Sequence, residues 1–282
     1  MPSKTVLITG CSSGIGAAAA QRLAKRGDLV VYASARRLES IEALQGFGCK
    51  LLALDVTDEA SMRNAVEAIV AEHGSVGALV NNAGYSQGGP IEQVSMDAVR
   101  RQFETNVFGL IYLTQLVLPG MRSQGHGRIV NIGSMGGRLT FPGGGLYHAT
   151  KHSLEAISDA LRFEVAGFGV GVTLIEPGLI TSDFAKTAVA TVAEAESDGD
   201  DPYREFNHRL AAMTTGVYES PIRHLGGSPD VVAKAIEKAI TRRKAPTRML
   251  LTASGHLTVL QRKVLPDRLW DATMRSQLPQ PR

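Results

Sequence analysis

A tyrosine, a lysine and a serine are spaced in a way that suits proton transfer. Tyr147 and Lys151 are four residues apart, and Ser134 lies thirteen residues before the tyrosine. Because four residues make just over one helical turn, the phenol and the ammonium project from the same face of a helix. A nearby ammonium favours the phenolate and lowers the pKa of the tyrosine, which makes it a usable general acid or base. Most Tyr-x-x-x-Lys pairs are only solvated helix faces, so the interpretation depends on the rest of the chain.

A glycine-rich turn near the N-terminus is typical of a nucleotide site. Residues 4–9 are apolar and β-branched, which predicts a buried strand, and the alanine-rich residues 17–26 predict a helix. Glycines between the two allow the backbone to approach a pyrophosphate, and the helix N-terminus supplies free N–H groups and a partial positive charge. The spacing is Gly-x3-Gly-x-Gly rather than the commoner Gly-x-Gly-x2-Gly. We expect the turn to bind a dinucleotide through Gly10, Ser12, Ser13, Gly14, Ile15 and Gly16.

Predicted strands and helices alternate along the chain, which favours an α/β fold. We expect a Rossmann-type doubly wound parallel sheet of about seven strands with helices on both faces. The strands are predicted at residues 4–9, 29–34, 50–54, 77–80, 128–132, 171–175 and 248–251. Further helices are predicted at residues 60–72, 96–118, 146–166 and 229–241, with Pro119 and Gly120 ending the second of these. We expect one domain over residues 1–282 with a C-terminal extension at 244–282. Residues 257–269 of this extension are interpreted as covering a pocket or a subunit interface, in preference to contacting a membrane surface.

The segment 181–228 follows the sixth predicted strand, at the sheet edge where α/β proteins bind ligands. We expect a substrate lid there, partly helical and partly mobile. Its acidic run is interpreted as a solvated loop rather than a metal site, because no ligand spacing is visible: Glu194, Glu196, Asp198, Asp200 and Asp201. Large apolar residues in and near the segment favour a bulky apolar carbonyl or alcohol substrate: Phe184, Phe206, Leu225, Met135 and Leu139.

The composition is that of a globular protein in a reducing compartment. The chain has 44% hydrophobic residues, two cysteines and no apolar run long enough to span a bilayer. The first predicted strand begins at residue 4, so we expect no signal peptide and a cytoplasmic location. Residues 201–282 carry a net charge of +7 and residues 1–200 a net charge of −4. Without a nucleic-acid motif or interleaved aromatic residues, these basic residues are interpreted as solvated faces, and neither a nucleic-acid partner nor a metal is expected.

Taken together, these motifs resemble the short-chain dehydrogenase/reductase family in its single-domain form. The matching residues follow the family's order and spacing: Thr9, Gly10, Gly14, Ile15, Gly16, Asp55, Asn81, Asn82, Ala83, Gly84, Asn106, Ser134, Tyr147, Lys151, Pro177, Gly178 and Thr181. Residues 10–14 and 265–269 are closest in character to the hydroxysteroid and retinol dehydrogenase branch. The resemblance also implies a homodimer or homotetramer.

The family resemblance implies hydride transfer between nicotinamide C4 and a carbonyl or secondary alcohol carbon. Tyr147 would donate the proton and Ser134 would bind the same substrate oxygen, while Lys151 would also hold the nicotinamide ribose. Asn106 would bend its helix and seat a water that links Lys151 to solvent. Further cofactor contacts are implied at adenine for Asp55 and Val56, at the adenosine ribose for Asn82, Ala83 and Gly84, and at the carboxamide for Pro177, Gly178 and Thr181.

The end of the second strand favours NADP(H) over NAD(H). In NAD-binding proteins of this kind an acidic residue there binds the ribose 2′-hydroxyl and repels a 2′-phosphate. The family alignment places Ala35 at that position, directly before Arg36 and Arg37. A guanidinium binds phosphate through two parallel hydrogen bonds, so these arginines are predicted to select NADP(H). The alternative is that they only open a surface helix.

Two other functions are compatible with such a fold. One is a catalytically idle regulator that senses NADP(H), although proteins of that kind usually lose the tyrosine or the lysine. The other is an epimerase or dehydratase of a longer branch, which usually has a larger C-terminal domain than the residues after 175 provide. We therefore predict an NADP(H)-dependent oxidoreductase acting on a steroid, a retinoid or another ketone or aldehyde.

Overall fold

The computed structural model describes residues 2–182, 184–194 and 201–281. Its strands are β1 (Thr5–Ile8), β2 (Val30–Ala35), β3 (Lys50–Ala53), β4 (Ala78–Asn81), β5 (Gly127–Ile132), β6 (Val170–Pro177) and β7 (Arg248–Leu251). Across the described residues these seven strands form one all-parallel sheet in the order β3-β2-β1-β4-β5-β6-β7. The predicted doubly wound sheet is confirmed.

The helices have the bounds α1 (Gly14–Ala24), α2 (Glu59–His73), α3 (Met96–Phe103), α4 (Gly109–Ser123), α5 (Gly145–Glu164), α6 (Phe184–Glu194), α7 (Arg204–Glu219), α8 (Pro229–Thr241), α9 (Ala253–Val264) and α10 (Asp267–Arg275). Helices α1 to α8 lie between the strands, and α9 and α10 follow β7. A 3-10 helix at Leu38–Phe47 joins β2 to β3. Within the described residues, no helix is long and apolar enough to cross a membrane.

Each face of the sheet carries its own apolar core, because successive side chains of a strand point to opposite faces. On β1, Val6 and Ile8 pack into one core together with residues of α1 and α8. Leu7 packs into the other core, which includes residues of α2 and α4. All three side chains have no exposed surface. The buried, nearly continuous apolar strands of the sequence are explained by helices on both faces.

The predicted helix end at Pro119 is wrong. Helix α4 contains Pro119 and continues to Ser123, with Met121 fully buried and Val117 almost so. A proline inside a helix costs a backbone hydrogen bond. Burying a side chain of the size of methionine contributes about 1.5–3 kcal/mol, which favours continuing the helix over the core.

The glycine-rich turn between β1 and α1 is packed too closely to admit side chains. Gly10 has φ +70°, and a Cβ added there would lie 2.9 Å from the Cα of Ala83. A Cβ on Gly16 would lie 2.2 Å from the carbonyl oxygen of Gly10, inside the first turn of α1. These contacts explain two of the three glycines of the motif by packing alone.

We expect Gly16→Ala to destabilise the fold by about 1–3 kcal/mol, because the added methyl meets backbone atoms that cannot move without opening the turn. Thermal unfolding followed by circular dichroism measures the effect. Gly167→Ala is the matched control, since a Cβ there has nothing within 4 Å. An unchanged melting temperature for Gly16→Ala would contradict the packing argument.

Candidate active site

The candidate residues gather at one edge of the sheet, where the parallel strands end. Thr9 follows β1, Asn82 follows β4, Ser134 lies two residues after β5, and Pro177 ends β6. These four strands are direct neighbours in the order β1-β4-β5-β6. The motifs are therefore brought together by strand order, although they are up to 168 residues apart in the chain.

A short hydrogen-bond system fixes the glycine turn against the loop after β4. The Thr9 hydroxyl oxygen accepts hydrogen bonds from the backbone N–H groups of Asn82 and Ala83, both at 3.0 Å. The side-chain amide of Asn82 donates to the carbonyl oxygens of Thr9 at 2.8 Å and Gly10 at 3.1 Å. Asn82 thus holds the turn in shape from the neighbouring strand.

The N-terminus of α1 is open to an anion. The Ser13 side chain makes no capping hydrogen bond, and both Ser12 and Ser13 are exposed. Helix α1 begins at Gly14 rather than at the predicted residue 17, so Gly14, Ile15 and Gly16 form its first turn. Free N–H groups and the positive end of the helix dipole favour a bound phosphate there.

Arg36 and Arg37 follow β2 directly and are exposed. The glycine turn touches this strand end, since the Cys11 N–H donates to the Ser34 carbonyl at 2.9 Å. Within the described chain, no hydrogen bond or ion pair engages either guanidinium. Both arginines are therefore available to a ligand that lies on the turn.

The remaining predicted cofactor residues lie at the same edge. One carboxylate oxygen of Asp55 accepts from the backbone N–H of Thr57 at 2.9 Å and from its hydroxyl at 2.8 Å. Val56 packs against α4, where a Cβ on Gly109 would lie 2.1 Å from the Val56 carbonyl oxygen. Gly178 is pressed against the loop after β7, and the Thr181 N–H donates to the Gly227 carbonyl at 2.9 Å.

Ser134, Tyr147 and Lys151 meet where α5 passes the end of β5. The Ser134 hydroxyl oxygen accepts from the Gly136 N–H at 3.0 Å, which starts a turn of 3-10 helix. Tyr147 lies in the first turn of α5, and the Lys151 ammonium lies 5.6 Å from the centre of its ring. The ammonium donates to the Ile132 carbonyl at 2.9 Å, and Lys151 is only 6% exposed.

The expected lowering of the tyrosine pKa by Lys151 is wrong for this structure. Burial raises the pKa of Tyr147 to about 12, although Ser134 acts to lower it and part of the residue remains accessible. Burial also lowers the pKa of Lys151 to about 8. The cause is desolvation, which disfavours both charged forms, and the ammonium bonds to a backbone carbonyl rather than to the phenol. Tyr147 consequently keeps its proton at neutral pH.

Asn106 lies in a π-helical turn, Glu104–Phe108, between α3 and α4. Its amide donates to the Tyr85 carbonyl at 2.9 Å and to the Thr150 hydroxyl at 3.1 Å, and it accepts from the Tyr85 N–H at 3.1 Å. The predicted local distortion of the helix is present. Through Tyr85 and Thr150, Asn106 connects the segment after Gly84 to α5 at the residue before Lys151. The water that would link Lys151 to solvent stays a prediction.

Helices α6 and α7 each bring an aromatic residue toward Tyr147. The rings of Phe184 and Tyr147 are 5.4 Å apart between centroids, and Tyr218 of α7 is near enough to raise the Tyr147 pKa. Phe206 and Leu139 are buried at 8% and 2% exposure, so they belong to the packed interior. The partly helical character predicted for this segment is confirmed for α6 and α7.

The predicted solvated loop for the acidic run is wrong for Asp201. Its carboxylate is 7% exposed and accepts from Gln93 at 2.7 Å and from the Tyr203 N–H at 2.8 Å. Glu196, Asp198 and Asp200 lie outside the described residues, as does the side chain of Glu194. In the part of the chain that is described, no group of three metal-binding side chains occurs.

An aromatic series that no sequence pattern predicted leads from the C-terminal extension to Tyr147. Ring centroids are 5.9 Å apart for Trp270 and Phe141, 5.8 Å for Phe141 and His148, and 5.6 Å for His148 and Tyr147. His148 bonds to the Gly136 carbonyl at 2.9 Å, and burial lowers its pKa. Only the adjacency of His148 to Tyr147 was visible in the sequence.

A buried ion cluster joins the segments that carry the candidate residues. The Arg138 guanidinium bonds to the Glu176 carboxylate at 2.5 Å, and Arg248 bonds to Glu155 and lies 3.5 Å from Glu176. Arg138 is four residues after Ser134, Glu155 is one helical turn after Lys151, and Glu176 precedes Pro177. The cluster therefore fixes the loop after β5, helix α5 and the end of β6 relative to one another.

The two carboxyl groups of this cluster share a buried environment. Glu176 has no exposed surface, and each glutamate has one buried oxygen without a hydrogen-bond donor when both are ionised. Burial and the neighbouring Glu176 raise the pKa of Glu155 to about 7, although Arg248 acts to lower it. A proton held between the two carboxyl groups satisfies these oxygens.

The raised pKa predicts a pH dependence of stability. The folded state binds this proton more tightly than the unfolded chain does. The stabilisation that Glu155 adds to the free energy of unfolding is therefore complete below pH ~4.5 and is lost as pH rises through ~7. We expect Glu155→Gln to reduce the dependence of the free energy of unfolding on pH, as measured by urea unfolding between about pH 5 and 8. Glu164→Gln, at an exposed position of the same helix, is the control. Identical slopes for wild type and Glu155→Gln would refute the assignment.

Comparisons with known proteins agree with this geometry. Residues 4–193 match the model of a protein family described as short chain dehydrogenase. A 3-ketodihydrosphingosine reductase of Bacteroides thetaiotaomicron is 35% identical over 88% of this chain and 87% of the relative. Human retinol dehydrogenase 8 is 34% identical over 87% and 80%. The solved structure of a serine dehydrogenase complexed with NADP+ has 30% identity and a TM-score of 0.72, covering 87% of this chain and 94% of that one.

The family match spans more than half of the chain, and both relatives exceed 30% identity over most of it. The glycine turn, Ser134, Tyr147 and Lys151 all lie within the matched segment. The chain is therefore an oxidoreductase of the short-chain dehydrogenase family.

Proposed function

We propose that the protein is an NADP(H)-dependent oxidoreductase that transfers a hydride between nicotinamide and a carbonyl or secondary alcohol carbon. The observation that carries the proposal is the convergence of Ser134, Tyr147 and Lys151 beside a glycine turn with an uncapped helix N-terminus. When bound, the nicotinamide supplies the hydride chemistry. The protein's part is to orient the substrate and to manage its proton.

The residues at the carboxyl edge fit a dinucleotide. The open first turn of α1 suits a pyrophosphate, and the free guanidinium groups of Arg36 and Arg37 suit a 2′-phosphate. Asp55 and Val56 would hold adenine, Asn82, Ala83 and Gly84 would line the ribose, and Pro177, Gly178 and Thr181 would hold the carboxamide. The contacts in the glycine turn are proposed for Gly10, Ser12, Ser13, Gly14, Ile15 and Gly16.

Tyr147 is proposed as the general acid in the reducing direction. A phenol with a pKa of about 12 keeps its proton at neutral pH and can donate it to an alkoxide as that charge develops. Ser134 would hydrogen-bond the same oxygen. Lys151, whose pKa of about 8 lies close to neutrality, would return a proton to the tyrosine. Asn106 would hold the Tyr85 segment and α5 in register around it.

A bulky apolar substrate is proposed from the surroundings of Tyr147. Phe184 on α6 lies beside its ring, Tyr218 on α7 is near enough to raise its pKa, and Trp270 of the C-terminal extension is linked to it through Phe141 and His148. We propose that segment 181–228 is the substrate lid and that 244–282 closes the pocket within one domain. The relatives named for sphingoid and retinoid substrates are consistent with steroid, retinoid or other apolar carbonyl compounds.

The first test is oxidation of NADPH across a panel of steroid, retinal, quinone, aliphatic and aromatic carbonyls, with NADH in parallel. Turnover with NADPH preferred would support reaction and cofactor together. Tight NADPH binding without turnover in either direction would instead favour a regulator that senses the cofactor. A homodimer or homotetramer and a cytoplasmic location remain predictions.

We expect Tyr147→Phe to lower kcat at least a hundredfold, because the variant keeps the ring and loses only the donated proton. Steady-state kinetics measures this, and NADPH binding and the melting temperature should stay near wild type. Tyr112→Phe on α4 is the matched control. Substantial activity in the Tyr147 variant would remove the tyrosine from its assigned role.

We expect Arg36→Ala to raise the NADPH Kd about tenfold or more, since a hydrogen bond to a charged group contributes about 1.5–3 kcal/mol. The NADH Kd should change little, because NADH has no 2′-phosphate. Fluorescence titration measures both constants, and Arg100→Ala, an exposed arginine on α3, is the control. Equal losses for the two cofactors would contradict the proposed selectivity.

A further inference from the structure

A second cleft lies at the amino-terminal edge of the sheet, opposite the candidate active site. It is formed where β5 and β6 begin, beside the segment that leads from α8 to β7, and its volume is about 660 Å³. No aspartate or glutamate is among the residues that line it. Six basic side chains line it: His126, Arg128, Arg162, Arg242, Arg243 and Lys244.

Arg128 is the buried cation of this cleft. It is 8% exposed, and its guanidinium donates to the backbone carbonyls of Gly127 at 2.8 Å, Arg243 at 3.1 Å and Arg242 at 3.3 Å. Its Nε has no hydrogen-bond partner, and within the described chain no carboxylate pairs with this guanidinium. A buried charge is ordinarily paired, so its solvation here is incomplete.

The surrounding groups add to this positive charge and do not offset it. Burial, followed by the charge of Arg128, lowers the pKa of His126, which accords with an uncompensated positive field. Arg162 pairs with Asp159 at 2.8 Å, but that carboxylate also serves Arg248 at 2.9 Å. By contrast, Arg22 in α1 and Arg26 just after it share the carboxylate of Glu237.

The bonds from Arg128 to the carbonyls at the end of α8 have a structural role of their own. They hold the turn that carries Arg242, Arg243 and Lys244. Capping a helix accounts for Arg128, but it does not account for three successive exposed cations beside it in a cleft without acids. Those cations line a concave surface together with the partly exposed apolar residues Ala166, Ile240 and Ala245.

We propose that this cleft binds a small organic phosphate, one with phosphate groups on an apolar or aromatic body. A guanidinium binds phosphate oxygens through two parallel hydrogen bonds, and the apolar walls would contact the organic part of the ligand. The volume lies within the range of about 300–1,000 Å³ that is usual for small-molecule sites. The site is separate from the proposed cofactor site, because it lies at the opposite ends of the same strands.

Pyrophosphate binding to the full chain, measured by isothermal titration calorimetry at low salt, tests the cleft. We expect the double variant Arg242→Gln/Arg243→Gln to raise the Kd for pyrophosphate at least tenfold. The matched control Arg223→Gln/Arg268→Gln removes two exposed arginines elsewhere and should leave the Kd unchanged. Phenyl phosphate should bind more tightly than inorganic phosphate, and added salt should weaken all three ligands.

Arg36→Ala separates this site from the proposed cofactor site. Pyrophosphate binding that survives Arg36→Ala and fails in the cleft double variant supports the cleft, whether or not the protein turns over NADPH. Binding lost in Arg36→Ala but retained in the double variant would overturn the proposal, as would no pyrophosphate binding by wild type. Light scattering tests whether the cleft is instead a contact between copies of the chain. If the double variant changes its oligomeric state and the wild type binds no pyrophosphate, the cleft is such a contact and the proposal is overturned.

Discussion

Parallel pairing of four neighbouring strands is the constraint on which the candidate site depends. In a parallel sheet all carboxyl ends lie at one edge, so the residues after β1, β4, β5 and β6 are brought together. The order of the strands reverses between β1 and β4, and the glycine turn lies at that point. Thr9 and Asn82 then bond the two strand ends to each other. The candidate active site thus needs no long-range loop to assemble.

The same packing sets the charge state of the site. Tyr147 and Lys151 are surrounded by protein, and desolvation moves their pKa values apart, raising that of the tyrosine to about 12 and lowering that of the lysine to about 8. Both side chains are therefore uncharged over a wider range of pH than free tyrosine and lysine side chains. That arrangement suits a proton donor, and it depends on the burial of both groups by distant segments, including the ring of Phe184 on α6, rather than on the Tyr-Lys spacing alone.

The ion cluster around Glu176 supplies rigidity behind the site. Arg138, Glu155 and Arg248 reach the same buried carboxylate region from a loop, a helix and the last strand. Buried pairs of this kind are not strong evidence of net stability, because desolvation offsets their attraction. Their consequence is geometric, since a displaced segment would leave a buried charge unpaired. Ser134, Lys151 and Pro177 are each within four residues of a member of the cluster.

Local patterns in the chain were enough to predict the parallel sheet and all seven of its strands, because periodicity and apolar runs depend on neighbouring residues. The sequence by itself also determined the glycine turn, the Tyr-Lys spacing and the missing acid at Ala35, since each depends on a few adjacent residues. The tertiary structure alone decided that α4 passes through Pro119, because the burial of Met121 is a property of the assembled core. It likewise decided the pKa of Tyr147, the contacts of Trp270 and His148, and the cluster around Glu176. Desolvation and ion pairing depend on which distant segments surround a group, and no local pattern in the chain specifies that.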